Sequence, residues 1–266
     1  LQGLDGLNLT LGGRFAIYDS ETRDTGRGVT TSEISENRFV PLAGLSYDVT
    51  RQVTAYTSYS EIFQPQSEQT ATGAQLDPIV GRQVEVGGKG SFFGGDLNAQ
   101  AAVFWLQDKN RAVSDPNTTG AFLAAGEAET TGFESYVAGS PYPGVDLSAG
   151  YSFVDTELES DPSPAHSLTT SAKYTFQSGV LQDFYVGGGM RAVSASDIVS
   201  GGVEIEAEGY AVFNALIGYK PVENLDIQLF VNNLFDNEYI QRVNTTARGT
   251  FYGEPLSAML RVSARF

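Results

Sequence analysis

Over the last eleven residues the chain alternates strictly. Leu256, Ala258, Leu260, Val262 and Ala264 are apolar, and the residues between them (Ser257, Met259, Arg261, Ser263) are mostly polar. A period of two puts the two sets on opposite faces of a strand. The same pattern recurs near residues 6–18, 38–49, 52–61, 82–92, 96–108, 127–139, 144–156, 167–177, 183–193, 209–219, 224–234 and 256–266. In each stretch one face is strongly apolar, as with Leu97, Ala99, Ala101, Val103 and Trp105. The other carries polar groups such as Thr169, Ser171 and Lys173. Charges at alternate strand positions are costly against a packed core but cheap in a wet lumen.

The connections sort by length. Those after every second strand are short: Thr50-Arg51, residues 93–95, 140–143, 178–182 and 220–223. The others are expected to run from about ten to over twenty residues and are rich in Asp, Glu, Ser, Thr and Gly, the loop side of the barrel pattern. Long loops that alternate with tight turns collect at one end of an antiparallel meander. That is the layout of an outer-membrane barrel, with short periplasmic turns and long extracellular loops. A Greek-key sandwich would break the order. The predicted fold class is therefore all-β, an antiparallel meander of about twelve transmembrane strands. Its last strand runs inward and leaves Phe266 at the periplasmic end.

Composition narrows the chemistry. No apolar run approaches the ~20 residues of a membrane helix, which leaves a barrel open. Cysteine is absent, so there is no disulfide framework and no Cys-based metal site. A net charge of −16 argues against nucleic acid as a partner. Acidic residues cluster at Asp19–Glu36, Asp155–Asp161 and Glu204–Glu208, and are read as solvated loops. Tyr18, Phe39, Tyr47, Tyr59, Phe92, Phe184 and Tyr219 fall near strand ends, where aromatic girdles sit.

Several motifs then occur in order. SYSEIFQPQ (Ser58–Gln66) is followed by LDPIVGRQVEVGGKGSFF (Leu76–Phe93), AVFWLQDKNRA (Ala102–Ala112), NNLFDNEYI (Asn232–Ile240), YGEP (Tyr252–Pro255) and the terminal Phe266. Together they resemble TonB-dependent ferric-siderophore receptors, nearest to the hydroxamate and pyoverdine types. The resemblance implies the C-terminal half of a 22-stranded outer-membrane barrel, with plug domain, TonB box and N-terminal strands absent. An incompletely closed sheet is expected.

The resemblance also implies the function. A ferric siderophore would be taken up across the bacterial outer membrane, energised by the TonB-ExbB-ExbD complex through the N-terminal part. Iron would arrive inside its chelator, so no cofactor is expected to be bound directly and no protein metal ligands are needed. The other implied partners are the barrel-assembly machinery, which would read Phe266, and outer-membrane lipid. Phe63, Tyr239, Arg248, Phe251 and Tyr252 are the candidate ligand contacts near the mouth. Aromatic rings offer flat apolar contact to a chelate, and Arg complements its oxygen-rich groups. In NNLFDNEY the asparagines and the acidic residue are expected to organise the exit from the strand, and Gly253-Glu254-Pro255 the return.

Two other functions compete with this one. A passive twelve-stranded pore is the alternative. A barrel lipase would be an enzyme and would need a Ser–His pair. The one histidine, His166, is read in the loop segment DPSPAHSLTT. It precedes Ser167, and adjacent strand positions point to opposite faces. No catalytic residue is expected.

Overall fold

The computed structural model describes residues 5–157, 163–200, 202–244 and 249–265. Its main sheet follows the chain through β1 (Leu7–Asp24), β2 (Val29–Asp48), β3 (Val53–Gln64), β4 (Ile79–Phe92), β5 (Leu97–Ser114), β6 (Phe122–Tyr142), β7 (Val145–Thr156), β8 (His166–Thr175) and β9 (Phe184–Val193). A hairpin of β10 (Ser196–Ser200) and β11 (Val203–Ala207) is set in before β12 (Tyr210–Val222) and β13 (Leu225–Asn232). A second, of β14 (Ile240–Arg242) and β15 (Phe251–Tyr252), precedes β16 (Ser257–Ala264). The strand order is β1 to β9, then β12, β13 and β16, a twelve-stranded meander with β1 and β16 at its two ends.

All twelve expected strands are present, but several run further than their amphipathic stretch. β1 and β2 pair up to Asp24 and Val29, so the long loop expected between them shrinks to residues 25–28. The connection from β5 to β6 is likewise only residues 115–121. The reason is solvent. Above Tyr18 both faces of the hairpin meet water, and the backbone ladder continues with no apolar face to report it. Glu21 stands directly opposite Glu33 there, and Ser35 donates to the Asp19 carboxylate at 2.8 Å. His166 is a second correction. It opens β8 rather than lying in a loop, and it pairs with Phe153. The strand ladder reaches it because Ser194 N–H donates to its carbonyl at 3.0 Å.

The chain divides into two compact units, residues 1–88 with 103–131, and residues 89–102 with 132–266. In the first, cross-strand pairing puts Leu9 with Leu45 and Phe15 with Phe39 on one face, and Asn8 with Ser46 on the other. The apolar face is bare: Leu11 is 72% exposed. Burial of a Leu side chain is worth about 1.5–3 kcal/mol, so a row of such residues requires an apolar medium beside it. The loop after β3 is tied down by Gln66, which is buried. Its amide donates to the Asp77 carbonyl at 2.5 Å and the Asn110 carbonyl at 2.6 Å, and its oxygen accepts from Ala112 N–H at 3.1 Å.

In the second unit the apolar face carries two aromatic bands. Tyr151 and Phe153 flank His166 at the long-loop end, with Phe133 packed on Tyr151 and with Tyr151 O–H and His166 Nδ1 2.8 Å apart. Tyr174 with Phe176, and Phe184 stacked on Tyr219 at 4.1 Å, mark the short-turn end. His166 and Tyr174 lie on the same β8 face, eight residues apart. At ~3.4 Å per residue and a tilt near 40° that is roughly 20 Å of height, close to the apolar band of an outer-membrane barrel. On the polar face Tyr185 lies over Gly218 and donates to Asp226 at 2.6 Å.

Candidate functional site

The chemistry-bearing residues of the second unit gather at its long-loop end. The hairpin β10–β11 turns Ile198 and Ala207 inward, and they pack with Val243, which is 1% exposed, and with Ile205 and Ile240. This small apolar core joins the connection before β12 to the connection before β16. Two loops that would each be weak alone are thereby held together.

The second anchor is Asn233, also 1% exposed. It sits at φ +47°, a left-handed conformation that Asn tolerates. Its amide donates to the carbonyls of Asn237 at 2.8 Å and Glu254 at 3.0 Å, and its oxygen accepts from Asn237 N–H at 2.9 Å. Its own N–H reaches Asn214 Oδ1 at 3.2 Å. Asn237 donates onward to the Ala211 carbonyl at 2.8 Å, and Asp236 accepts from Leu256 N–H at 2.8 Å. The asparagines and the acidic residue of the NNLFDNEY motif thus fasten the exit from β13 to the return at Glu254, the role expected of them.

Beside the apolar core, with Ala207 and Ile240 in its wall, lies a cavity of about 600 Å³. Its walls include Arg191, Tyr210, Glu208, Arg242 and Phe251. Arg191 and Tyr210 project from the polar face of β9 and β12, where Tyr210 pairs with Val193. Below it a second hollow of about 540 Å³ opens on the same face. Gly189 and Gly187 belong to β9 beneath it. A Cβ at Gly189 would lie 2.9 Å from the Thr170 carbonyl, and one at Gly187 2.7 Å from that of Ala172. Strand pairing this close needs glycine, and the missing side chains leave the space. Arg191 lines both cavities.

The expected ligand contacts fall out unevenly. Phe251 lines the outer cavity. The Tyr239 ring is wedged between Gly253 and Tyr210, its centroid 4.2 Å from that of Tyr210, so it supports the wall from behind. Tyr252 is exposed, pairs with Ile240, and does not line the cavity. Phe63 is half-buried at the end of β3 in the other unit. Arg248 and Phe266 lie outside the described residues. Three wall residues escaped sequence reasoning: Arg191, Tyr210 and Arg242. Tyr210 and Arg191 look like ordinary members of alternating strands, and only the register aims them at the same space. Among the described residues no group of three or more His, Asp or Glu could hold a metal ion.

Residues 2–234 match the family described as TonB dependent receptor-like, beta-barrel. The chain is 33% identical to the ferric-pyoverdine M114 receptor PbuA of Pseudomonas sp. (strain M114), over 98% of this chain and 34% of that protein. It is 31% identical to the ferripyoverdine receptor of Pseudomonas aeruginosa, over 96% of this chain and 33% of the relative. A solved structure of Pseudomonas aeruginosa FpvA bound to a heterologous pyoverdine superposes with a TM-score of 0.86 at 27% identity, covering 98% of this chain and 36% of that one. This chain belongs to the TonB-dependent receptor β-barrel family, whose members reside in the outer membrane. It spans about a third of the length of the curated relatives it matches. The apolar face therefore meets lipid and the polar face the lumen.

Proposed function

We propose that the chain supplies barrel wall and extracellular loops to an outer-membrane receptor that takes up a ferric siderophore, energised by TonB. The observation that carries this is the cavity under the packed loops. It faces the lumen side, and aromatic and cationic side chains converge on it. A chelate that already wraps its iron needs such a surface, not protein ligands. Relatives named as ferric-pyoverdine receptors support the reading over a passive pore. No catalytic step is assigned to the protein. TonB-ExbB-ExbD is its proposed energy source, and outer-membrane lipid its surroundings. Phe266 is proposed as the signal read by the barrel-assembly machinery, and Phe63 and Arg248 as further ligand contacts.

The test is uptake of radioactive iron by cells that lack other receptors, with a panel of ferric hydroxamate and mixed catecholate–hydroxamate chelates. At least one should enter when the full-length protein is present, and entry should cease when TonB is deleted. Entry that persists without TonB points to the pore instead. Within the site, Tyr210→Ala and Phe251→Ala should each weaken binding of the accepted chelate about tenfold, the scale of one lost aromatic contact of ~1.5 kcal/mol. Tyr252→Ala should weaken it less. Direct titration would reject this ordering if Tyr252→Ala proved the most damaging.

A further inference from the structure

The outer cavity holds two arginines and one carboxylate, Glu208. The ion pairs include Arg38–Glu61, Lys109–Glu127, Arg111–Asp108 and Lys173–Asp146, and among the described residues neither Arg191 nor Arg242 takes part in one. Both therefore face a shared space of about 600 Å³ with their charge uncompensated by a close partner. Because both line the same cavity, one ligand seated there can meet both of them.

The surroundings sharpen the point. The chain carries a net charge of −16, and on β10–β11 the pair Asp197 and Glu206 stand directly opposite each other beside the cavity. That field by itself would attract a cationic ligand and repel an anionic one. Two unpaired guanidinium groups work against it only locally, at the cavity wall. An ammonium-bearing ligand would gain from the distant field but meet both arginines on contact. An anionic ligand would recover charge-assisted hydrogen bonds from each of them.

Building on the receptor reading above, we infer that Arg191 and Arg242 select a ferric chelate with an anionic oxygen group. Arg191 also lines the glycine-floored hollow beneath, so it stays in reach of the same group when the chelate moves down the lumen wall.

The experiment uses the full-length protein in detergent and one ferric trihydroxamate chelate in three forms: with a free pendant ammonium, with that amine acetylated, and with it succinylated to a carboxylate. Affinity is read by titration of intrinsic fluorescence. The succinylated form should bind at least tenfold tighter than the ammonium form. Arg191→Gln and Arg242→Gln should each shrink that ratio about tenfold, since a charge-assisted hydrogen bond is worth about one such factor. Arg191→Lys should keep much of it, and raising the salt should reduce it in the parent protein. Equal affinities, a preference for the ammonium form, binding of none of the three, or a ratio that survives both Gln replacements overturns the inference. Iron uptake by the same strains separates this from the broader reading. Intact uptake with no charge preference overturns only the inference, while loss of uptake for every chelate overturns the receptor reading.

Discussion

Asn233→Ala should release the loops above β13 while leaving the sheet intact. The change removes three side-chain hydrogen bonds, to Asn237 O, Glu254 O and Asn237 N–H, at a position that is 1% exposed. Each bond contributes about 1 kcal/mol, and each buried partner left unsatisfied costs about 1–3 kcal/mol. Alanine at φ +47° adds roughly another 1–2 kcal/mol. A local loss on the order of 4 kcal/mol is therefore expected across residues 233–244 and 249–256. Amide hydrogen exchange should rise by two to three orders of magnitude in that segment, with β12 and β13 still protected. Unchanged exchange there would falsify the anchoring role. Asn233→Asp should not rescue, because it restores the acceptor for Asn237 N–H but not the two donors.

Gly253→Ala is expected to act through a ring and not through the backbone. A Cβ at Gly253 would fall 1.9–2.3 Å from the Cζ and Cε atoms of Tyr239. The phenol must then leave its place on Tyr210 or push the Gly253–Tyr239 hydrogen bond, 2.9 Å in length, apart. Overpacking of this kind costs about 1–3 kcal/mol. It displaces the β14–β15 ladder that carries Phe251 and Arg242 into the cavity wall. Chelate affinity should drop tenfold or more. The diagnostic is non-additivity: once Tyr239→Ala is made, adding Gly253→Ala should cost almost nothing further. If the two losses simply sum, the ring is not what Gly253 makes room for.

Both changes fall in motifs that sequence reading had marked as structural, NNLFDNEY and YGEP, and the hydrogen bonds of Asn233 and Asp236 agree with that reading. The same reading placed Tyr239 and Tyr252 in the ligand site. In the structure Tyr239 packs on Tyr210, and Tyr252 is exposed and is not among the residues lining the cavity. Motif position could not separate these roles, since a ring that packs on glycine and a ring that faces a ligand carry the same letter. The extension of the β1–β2 hairpin beyond Tyr18 and the β10–β11 hairpin escaped notice for a different reason. Amphipathic alternation exists only where one face meets apolar surroundings. Above the membrane, Asp19, Glu21, Glu33, Asp197 and Glu206 can occupy strands without breaking any pattern.

The chain's alternation of apolar and polar positions, together with its tight turns, was enough to determine the twelve strands, their meander order and the faces turned to lipid and lumen. A period of two has one solution per strand, and short turns force neighbours to pair. Only the tertiary structure decided where the ladders end and that Ile198, Ala207 and Val243 weld two loops into one wall. It alone brought Arg191, Tyr210, Arg242 and Phe251 around a single cavity. Those residues lie up to sixty positions apart, and what unites them is cross-strand register and loop packing, which act through space and leave no local trace in the order of residues.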